Sequence, residues 1–318
     1  MKLRRLIVTN IKHQTFTKIY NLFIDFRLFV MGIKKDVVNK EDGIFYYEGG
    51  NDLKDTIILI HGFADSKNGH LMVAKKLLFK YRVLIPDLPG FGENTRDHQK
   101  TYSISFMSEK VIELIHEKKL QKVHMLGNSL GGAVAMDIAS RAPNLVKSLV
   151  LVGSAGFYNA NIRTIQNEVL EGNYVFQVNS DHEYSKLVDR VFAKRPKIPA
   201  FIFSYLSSEF QAQGKWYRKL LDDLVDGSSV DDIQNKLLKN SYNNRAKEFP
   251  MSILMLWGEK DRVISPEMGV FAKSIIPNSK LIILKNAGHA PQHENLLDYM
   301  DALLVFLKDN ECNSPLKG

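Results

Sequence analysis

Along most of the chain, short apolar runs alternate with stretches whose apolar residues recur every three to four positions. The runs Ile44–Tyr47, Thr56–Ile60, Arg82–Ile85, Lys122–Leu126 and Ser148–Val152 predict strands, as do Ser252–Leu256 and Lys280–Leu284 further on. Helical spacing falls between them, at Leu71–Phe79, Ile104–Lys118, Leu130–Ser140, Pro266–Ser274 and Leu296–Leu307. Alternation of this kind predicts an α/β fold with a mostly parallel central sheet and helices on both faces. The rhythm breaks from about residue 155 to 247, where helical patterns appear without buried strands. A segment that long inside a compact domain is expected to be a folded helical lid and not a loop. The expected organisation is therefore an N-terminal segment (1–42), a first core part (43–154), the lid (155–247), a second core part (248–310) and a tail (311–318).

Composition changes this picture little. The 318 residues are 45% hydrophobic and 25% charged, which is ordinary for a globular protein and excludes disorder and a polytopic membrane protein. A single cysteine, Cys312, excludes an internal disulfide framework and a cysteine-based zinc cluster and fits a reducing compartment.

Charge changes it more. The net charge is +8, yet residues 1–40 hold nine Lys and Arg against Asp25 and Asp36, so nearly all of the excess sits there. It is interleaved with an apolar, aromatic-rich run from Ile19 to Ile33 that Asn21, Asp25 and Arg27 interrupt. That run is too short and too interrupted for a transmembrane span, which needs roughly 20 mostly apolar residues. No small-residue cleavage site marks it as a signal peptide. Two readings stay open: a basic amphipathic helix lying on an anionic membrane surface, or a helix packed on the core with its charges solvated. The first places the protein peripherally on the cytoplasmic side of a membrane, and the second makes it soluble and cytoplasmic. No dense basic groove for nucleic acid is present.

Candidate chemistry lies where the strands end. Gly127-Asn128-Ser129-Leu130-Gly131-Gly132 follows a strand and opens a helix, in the pattern G-x-S-x-G. Such a turn exposes the serine hydroxyl and aims a helix N-terminus at the reacting carbonyl. A serine needs a base, and His289 stands in the loop after strand Lys280–Leu284; His293, four residues on, is read as peripheral. The histidine needs an orienting carboxylate. Asp261, beyond strand Ser252–Leu256, is preferred to Glu259, and the chain order Ser129, Asp261, His289 is that of the α/β-hydrolases. Two amide donors for an oxyanion are expected at Leu130 and Phe63, the latter in His61-Gly62-Phe63. His61 is expected to bond loop backbone, and Asp87, in Asp87-Leu88-Pro89-Gly90-Phe91-Gly92, to shape its loop.

These motifs together resemble the α/β-hydrolase superfamily over about residues 43–310. Within it the chain is most similar to the membrane-associated monoacylglycerol hydrolases and small bacterial lipases. Val152-Gly153-Ser154-Ala155-Gly156-Phe157, Ala272-Lys273-Ser274 and the apolar N-terminal segment carry that closer likeness. The resemblance implies an α/β-hydrolase fold with an inserted lid. It also implies a serine hydrolase that cleaves lipid or other acyl esters without a metal or organic cofactor.

The lid residues Phe192, Phe201, Ile202, Phe203, Tyr205, Leu206, Phe210, Trp216 and Tyr217 suit an apolar acyl pocket. Phe63, Ser154, Phe203 and Trp216 are the expected substrate contacts. Two other functions share the pattern. One is a carbon–carbon bond hydrolase of ring-cleavage dienones, which the basic, greasy N-terminus fits poorly. The other is a non-catalytic membrane-docked binding protein, which would not need a complete triad. Epoxide hydrolases and dehalogenases are disfavoured, because they require an aspartate where Ser129 stands.

Overall fold

The computed structural model describes residues 2–38, 43–225, 238 and 241–311, with side chains from residue 15 onward. Eight strands form one sheet in the order β1-β2-β4-β3-β5-β6-β7-β8. They are β1 Lys34–Val38, β2 Ile44–Gly49, β3 Thr56–Ile60, β4 Arg82–Pro86, β5 Val123–Asn128, β6 Val146–Val152, β7 Ser252–Gly258 and β8 Ser279–Leu284. From β4 through β8 all neighbours run parallel, whereas β1 and β2 pair antiparallel at one edge.

The continuous apolar strands of the sequence owe their character to burial on both faces. In β3, Ile58 and Ile60 enter one core, and Ile57 and Leu59 enter the other. Helices α3 (Ile104–Glu117) and α4 (Leu130–Arg141) cover the first face; α2 (Leu71–Leu77) and helix Leu296–Glu311 cover the second. All four β3 side chains are fully buried, and each such burial stabilises the fold by about 1.5–3 kcal/mol.

Between β6 and β7 the regular elements among the described residues are helical: α5 (Ile165–Leu170), α6 (Asp181–Val191), α7 (Ala200–Ala212), α8 (Gly214–Val225) and a short 3-10 turn at Arg245–Glu248. The N-terminal segment departs from expectation in two ways. Its helix, α1, runs over Lys2–Met31, and the segment then continues into β1, an edge strand that the sequence reading did not separate. Of the basic residues counted there, Lys2, Arg4, Arg5 and Lys12 have side chains outside the described set, and Lys40 and Cys312 lie outside the described residues altogether.

Helix α1 also has two distinct faces. Ile24 and Leu28, with Ile33 just beyond the helix, pack into the second core. Tyr20 is 38% exposed, and the six residues Ile19, Leu22, Phe23, Phe26, Phe29 and Val30 are more so, Phe29 to 83% and Leu22 to 70%. At about 100° per residue these six fall within a stripe roughly 120° wide, opposite the packed face. The helix is therefore neither a solvated packing helix nor a conventional amphipath with a polar outer face. Among the described residues no helix is long and apolar enough to cross a membrane.

Candidate active site

The G-x-S-x-G segment forms the turn from β5 into α4. Ser129 has φ +53° and ψ −117°, a conformation that costs an L-residue about 1–3 kcal/mol and persists only where its surroundings enforce it. Three backbone hydrogen bonds do so. Ser129 N–H donates to Val152 O (2.9 Å), and Ser129 O accepts from Gly132 N–H (2.9 Å) and Ala155 N–H (3.1 Å). The flanking glycines are required by contact. A Cβ on Gly127 would stand 2.2 Å from Gly131 O, and one on Gly131 would stand 2.3 Å from Ile60 O. Leu130 is the first residue of α4, so its N–H has no partner within the helix. The Gly62-Phe63 backbone lies against the serine: a Cβ on Gly62 would be 3.2 Å from Ser129 Cβ.

Asp261 and His289 come together from the loops after β7 and β8. Asp261 Oδ2 is 2.8 Å from His289 Nδ1, with the aspartate side chain fully buried. Asp261 Oδ1 accepts from Val263 N–H (2.8 Å) and Ile264 N–H (3.0 Å), which leaves Oδ2 for the imidazole. The histidine loop is held from the lid. His289 N–H donates to Val191 O (2.8 Å), and Glu294 accepts from Gly288 N–H (2.6 Å) and Lys194 N–H (3.0 Å). On the acid loop, Arg262 donates to Phe192 O (2.6 Å) and Arg190 to Arg262 O (2.9 Å).

The other candidates separate by their partners. Glu259 is turned to backbone support, accepting from Asn286 N–H (3.0 Å). Asp87 is fully buried, pairs with Lys67, and accepts from the N–H groups of Lys67 (2.7 Å) and Glu93 (3.0 Å). His61 Nε2 accepts from Leu88 N–H (2.9 Å), so the ring proton sits on Nδ1 and is donated to Gly62 O (2.7 Å).

Ser129 lies where two cavities meet. One is apolar, lined by Ile104, Ala133, Phe157, Val169, Leu221 and Leu224 among others. The other is wider and more polar, lined by His289, Asp65, Arg96, Gln213, Gln292 and the lid residues Leu206, Phe210 and Tyr217. Phe63 and Phe176 border both. Ser154 lines the apolar cavity, with its hydroxyl donated to Ala155 O (2.7 Å).

Two expected substrate contacts are placed elsewhere. Phe203 packs on Tyr184 of α6, with ring centroids 5.2 Å apart, and lines neither cavity. Trp216 also lines neither: its Nε1–H donates to Gly90 O (2.7 Å) and pins α8 to the Pro89-Gly90 turn. Aromatic composition flagged both but cannot tell a cavity wall from a packing contact. His293, expected at the periphery on the closing helix, instead precedes that helix and lines the wide cavity. Sequence reasoning missed Asp65, Gln292 and Tyr20 as lining residues. Tyr20 was findable, because it shares the i, i+4 row of Ile24 and Leu28. Burial raises the Asp65 carboxyl above its ordinary range, against the opposing influence of His61.

Residues 55–296 match the family model described as alpha/beta hydrolase fold, and the chain belongs to that family. Among curated relatives it is 32% identical to Lipase 1 of Psychrobacter immobilis over 86% of this chain and 83% of that one. It is 26% identical to human monoacylglycerol lipase ABHD6 over 82% and 78% of the two chains. Among solved structures, a membrane phospholipase A described as a bacterial virulence factor superposes with a TM-score of 0.83 at 25% identity. That likeness covers 94% of this chain and 93% of the other. The protein is thus a hydrolase, with ester cleavage as its reaction class.

Proposed function

We propose that the protein docks on an anionic lipid surface and hydrolyses single-chain acyl esters of the monoacylglycerol kind through an acyl-enzyme on Ser129. The observation that carries this reading is the position of Ser129 between an apolar and a polar cavity, beside the Asp261–His289 pair. The apolar cavity suits an acyl chain, with Phe63 and Ser154 in its wall, and the wider one suits the alcohol. In the first half-reaction Ser129 Oγ bonds the ester carbonyl carbon as His289 takes its proton. Collapse of the tetrahedral adduct breaks the ester bond, and His289 returns the proton to the leaving alcohol. In the second, His289 deprotonates water as it attacks the acyl-serine, and collapse of that adduct breaks the acyl–Oγ bond, releasing the fatty acid as His289 returns the proton to Ser129 Oγ. Asp261 fixes the imidazole tautomer, so that Nε2 is the working nitrogen. The N–H groups of Leu130 and Phe63 stabilise the oxyanion.

Docking rests on the exposed stripe of α1. Six large apolar side chains facing solvent on one helix are unusual unless something covers them. Exposed Phe201 of α7 extends the patch, its ring 6.1 Å from that of Phe16. Basic residues near an anionic surface each add about 1 kcal/mol. Because β1 and the buried Ile24 and Leu28 tie this segment to the core, deleting it would damage the fold. Surface substitution is the cleaner test. Leu22→Glu with Phe26→Glu should abolish co-sedimentation with phosphatidylglycerol vesicles and slow hydrolysis of vesicle-borne monoacylglycerol, leaving a dissolved butyrate ester untouched. Full vesicle binding by this variant would refute docking, and failure of the wild type to cleave either ester would refute the reaction.

A further inference from the structure

The helix that carries the apolar stripe also reaches the reaction chamber. On its inner face Tyr20, Ile24 and Leu28 follow one another at i+4. Ile24 and Leu28 are buried in the core, and one turn earlier Tyr20 lines the wide cavity that holds Ser129 and His289. Tyr20 is itself 38% exposed, so it stands between this cavity and solvent. One turn further back, Phe16 packs on Tyr205 of α7 with ring centroids 4.2 Å apart, and Thr17 Oγ1 lies 2.9 Å from the Tyr205 hydroxyl. Helix α1 therefore bridges the core to the lid across the rim of this cavity. Ile19, Leu22 and Phe23, on the same turns, face outward. One helix thickness, about 10 Å, separates the proposed lipid surface from the chamber.

We infer that Tyr20 is a substrate-contacting residue at a lateral opening between α1 and α7, through which a single-chain amphiphile passes from the lipid surface to Ser129. This rests on the docking and reaction proposed above and assigns α1 a second task within them. At this opening the exposed Ile19, Phe23 and Phe201 would form an apolar outer lip, and Tyr20, Asp65 and Gln292, which line the wide cavity, the polar inner wall. Gln292 is 2% exposed, and its Oε1 has no hydrogen-bond partner among the described residues. An amphiphile entering here would keep its chain against the outer lip while its hydroxyl groups meet acceptors inside. A dissolved short ester has no need of the lip. Tyr20 would thus discriminate by how a substrate is presented and not by the bond that is cleaved.

The test uses the full-length protein with Tyr20→Trp, which crowds the opening, and Tyr20→Phe, which keeps the ring. Each is assayed on monoacylglycerol in phosphatidylglycerol vesicles and on a dissolved butyrate ester, with vesicle co-sedimentation alongside. Tyr20→Trp should lower kcat/KM on the vesicle substrate by about tenfold, while changing the dissolved ester less than about twofold. Vesicle binding should hold, since Tyr20 lies beside the exposed stripe and not within it, and Tyr20→Phe, which keeps the ring and loses only the hydroxyl of the inner wall, should slow the vesicle substrate less than Tyr20→Trp does. Photocrosslinking from p-benzoylphenylalanine at position 20 should capture a non-hydrolysable ether analogue, and excess unlabelled analogue should compete it away. Equal slowing of both substrates, no slowing on vesicles, or no competed adduct would overturn the inference. Loss of vesicle binding in the wild type would instead refute the docking on which it rests, and the inference with it. A wild type inactive on both esters would refute the reaction.

Discussion

The two walls of the Ser129 chamber are made differently. The core wall consists of loops at the ends of buried parallel strands: the β3 loop with Phe63, the β5–α4 turn with Ser129, and the loops after β7 and β8 with Asp261 and His289. Its polar atoms are fixed by backbone hydrogen bonds, as the three around Ser129 and the two on Asp261 Oδ1 show. The opposite wall is built by the lid and α1 from aromatic contacts and a few polar ties, and it leaves Phe201 and Phe29 in solvent. Chemistry needs atoms held to within a fraction of an ångström, which the first wall supplies. Admission of varied acyl chains needs a surface that can yield, which the second supplies. Damage to the core wall should therefore appear in kcat, and damage to the lid wall in selectivity or stability.

The largest effect is expected from Asp261→Asn. The amide oxygen can still accept from Val263 and Ile264, so the loop and the melting temperature should be preserved. The imidazole loses its orienting charge, and kcat should fall by roughly 10⁴-fold. A loss below about tenfold in steady-state kinetics would place the working carboxylate elsewhere.

Next comes the apolar cavity. Leu224→Trp adds bulk to its lid side and should cut kcat/KM for long acyl chains by about 10–100-fold relative to butyrate. A chain-length profile that keeps its shape would show that acyl chains lie elsewhere.

The contrast also explains what was legible in the sequence. Strands such as Thr56–Ile60 read directly because burial on both faces leaves an unbroken apolar run, Ile57 to Ile60, after Thr56. The Ser129 turn read directly because its close backbone approaches demand glycine. Choosing Asp261 over Glu259 rested only on distance past the strand, and the hydrogen bonds of the structure show their separate partners. The lid wall was less legible. Phe203 and Trp216 looked like pocket residues, but an aromatic has the same letter whether it faces a cavity or packs one element on another. Tyr20 was hidden in a run that seemed uniformly greasy until the helix was divided into faces. Strand β1 was hidden because Lys34-Lys35-Asp36 at an exposed edge carries no apolar alternation.

A smaller effect is expected at the tie between lid and acid loop. Arg190 pairs with Glu168 of α5 while also bonding Arg262 O. That hydrogen-bonded pairing holds the Glu168 carboxyl below its ordinary value of 4.5, against the effect of burial. A depressed carboxylate contributes stability that is complete above the unfolded-state pKa and is lost as pH falls through the folded one. The wild type should therefore lose more of its melting temperature on acidification below about pH 4.5 than Arg190→Gln does. Parallel pH curves for the two proteins would show that the pair contributes nothing to stability.

The smallest effect belongs to Trp216→Phe. It removes the hydrogen bond to Gly90 O and should cost about 0.5–1.5 kcal/mol by denaturant titration. The kcat/KM for a dissolved short ester should stay within about twofold, because the residue lines neither cavity. A steep loss of activity would return Trp216 to the substrate.

Acyl transfer in this chamber requires Ser129 as the group that takes the acyl chain, and a fluorophosphonate probe with peptide mass mapping tests that directly. One probe per chain should be found on the peptide containing Ser129. Asp261→Asn should slow the labelling, and Ser129→Ala should abolish both labelling and hydrolysis. Labelling of Ser154 or another serine, or ester hydrolysis that survives in Ser129→Ala, would contradict it.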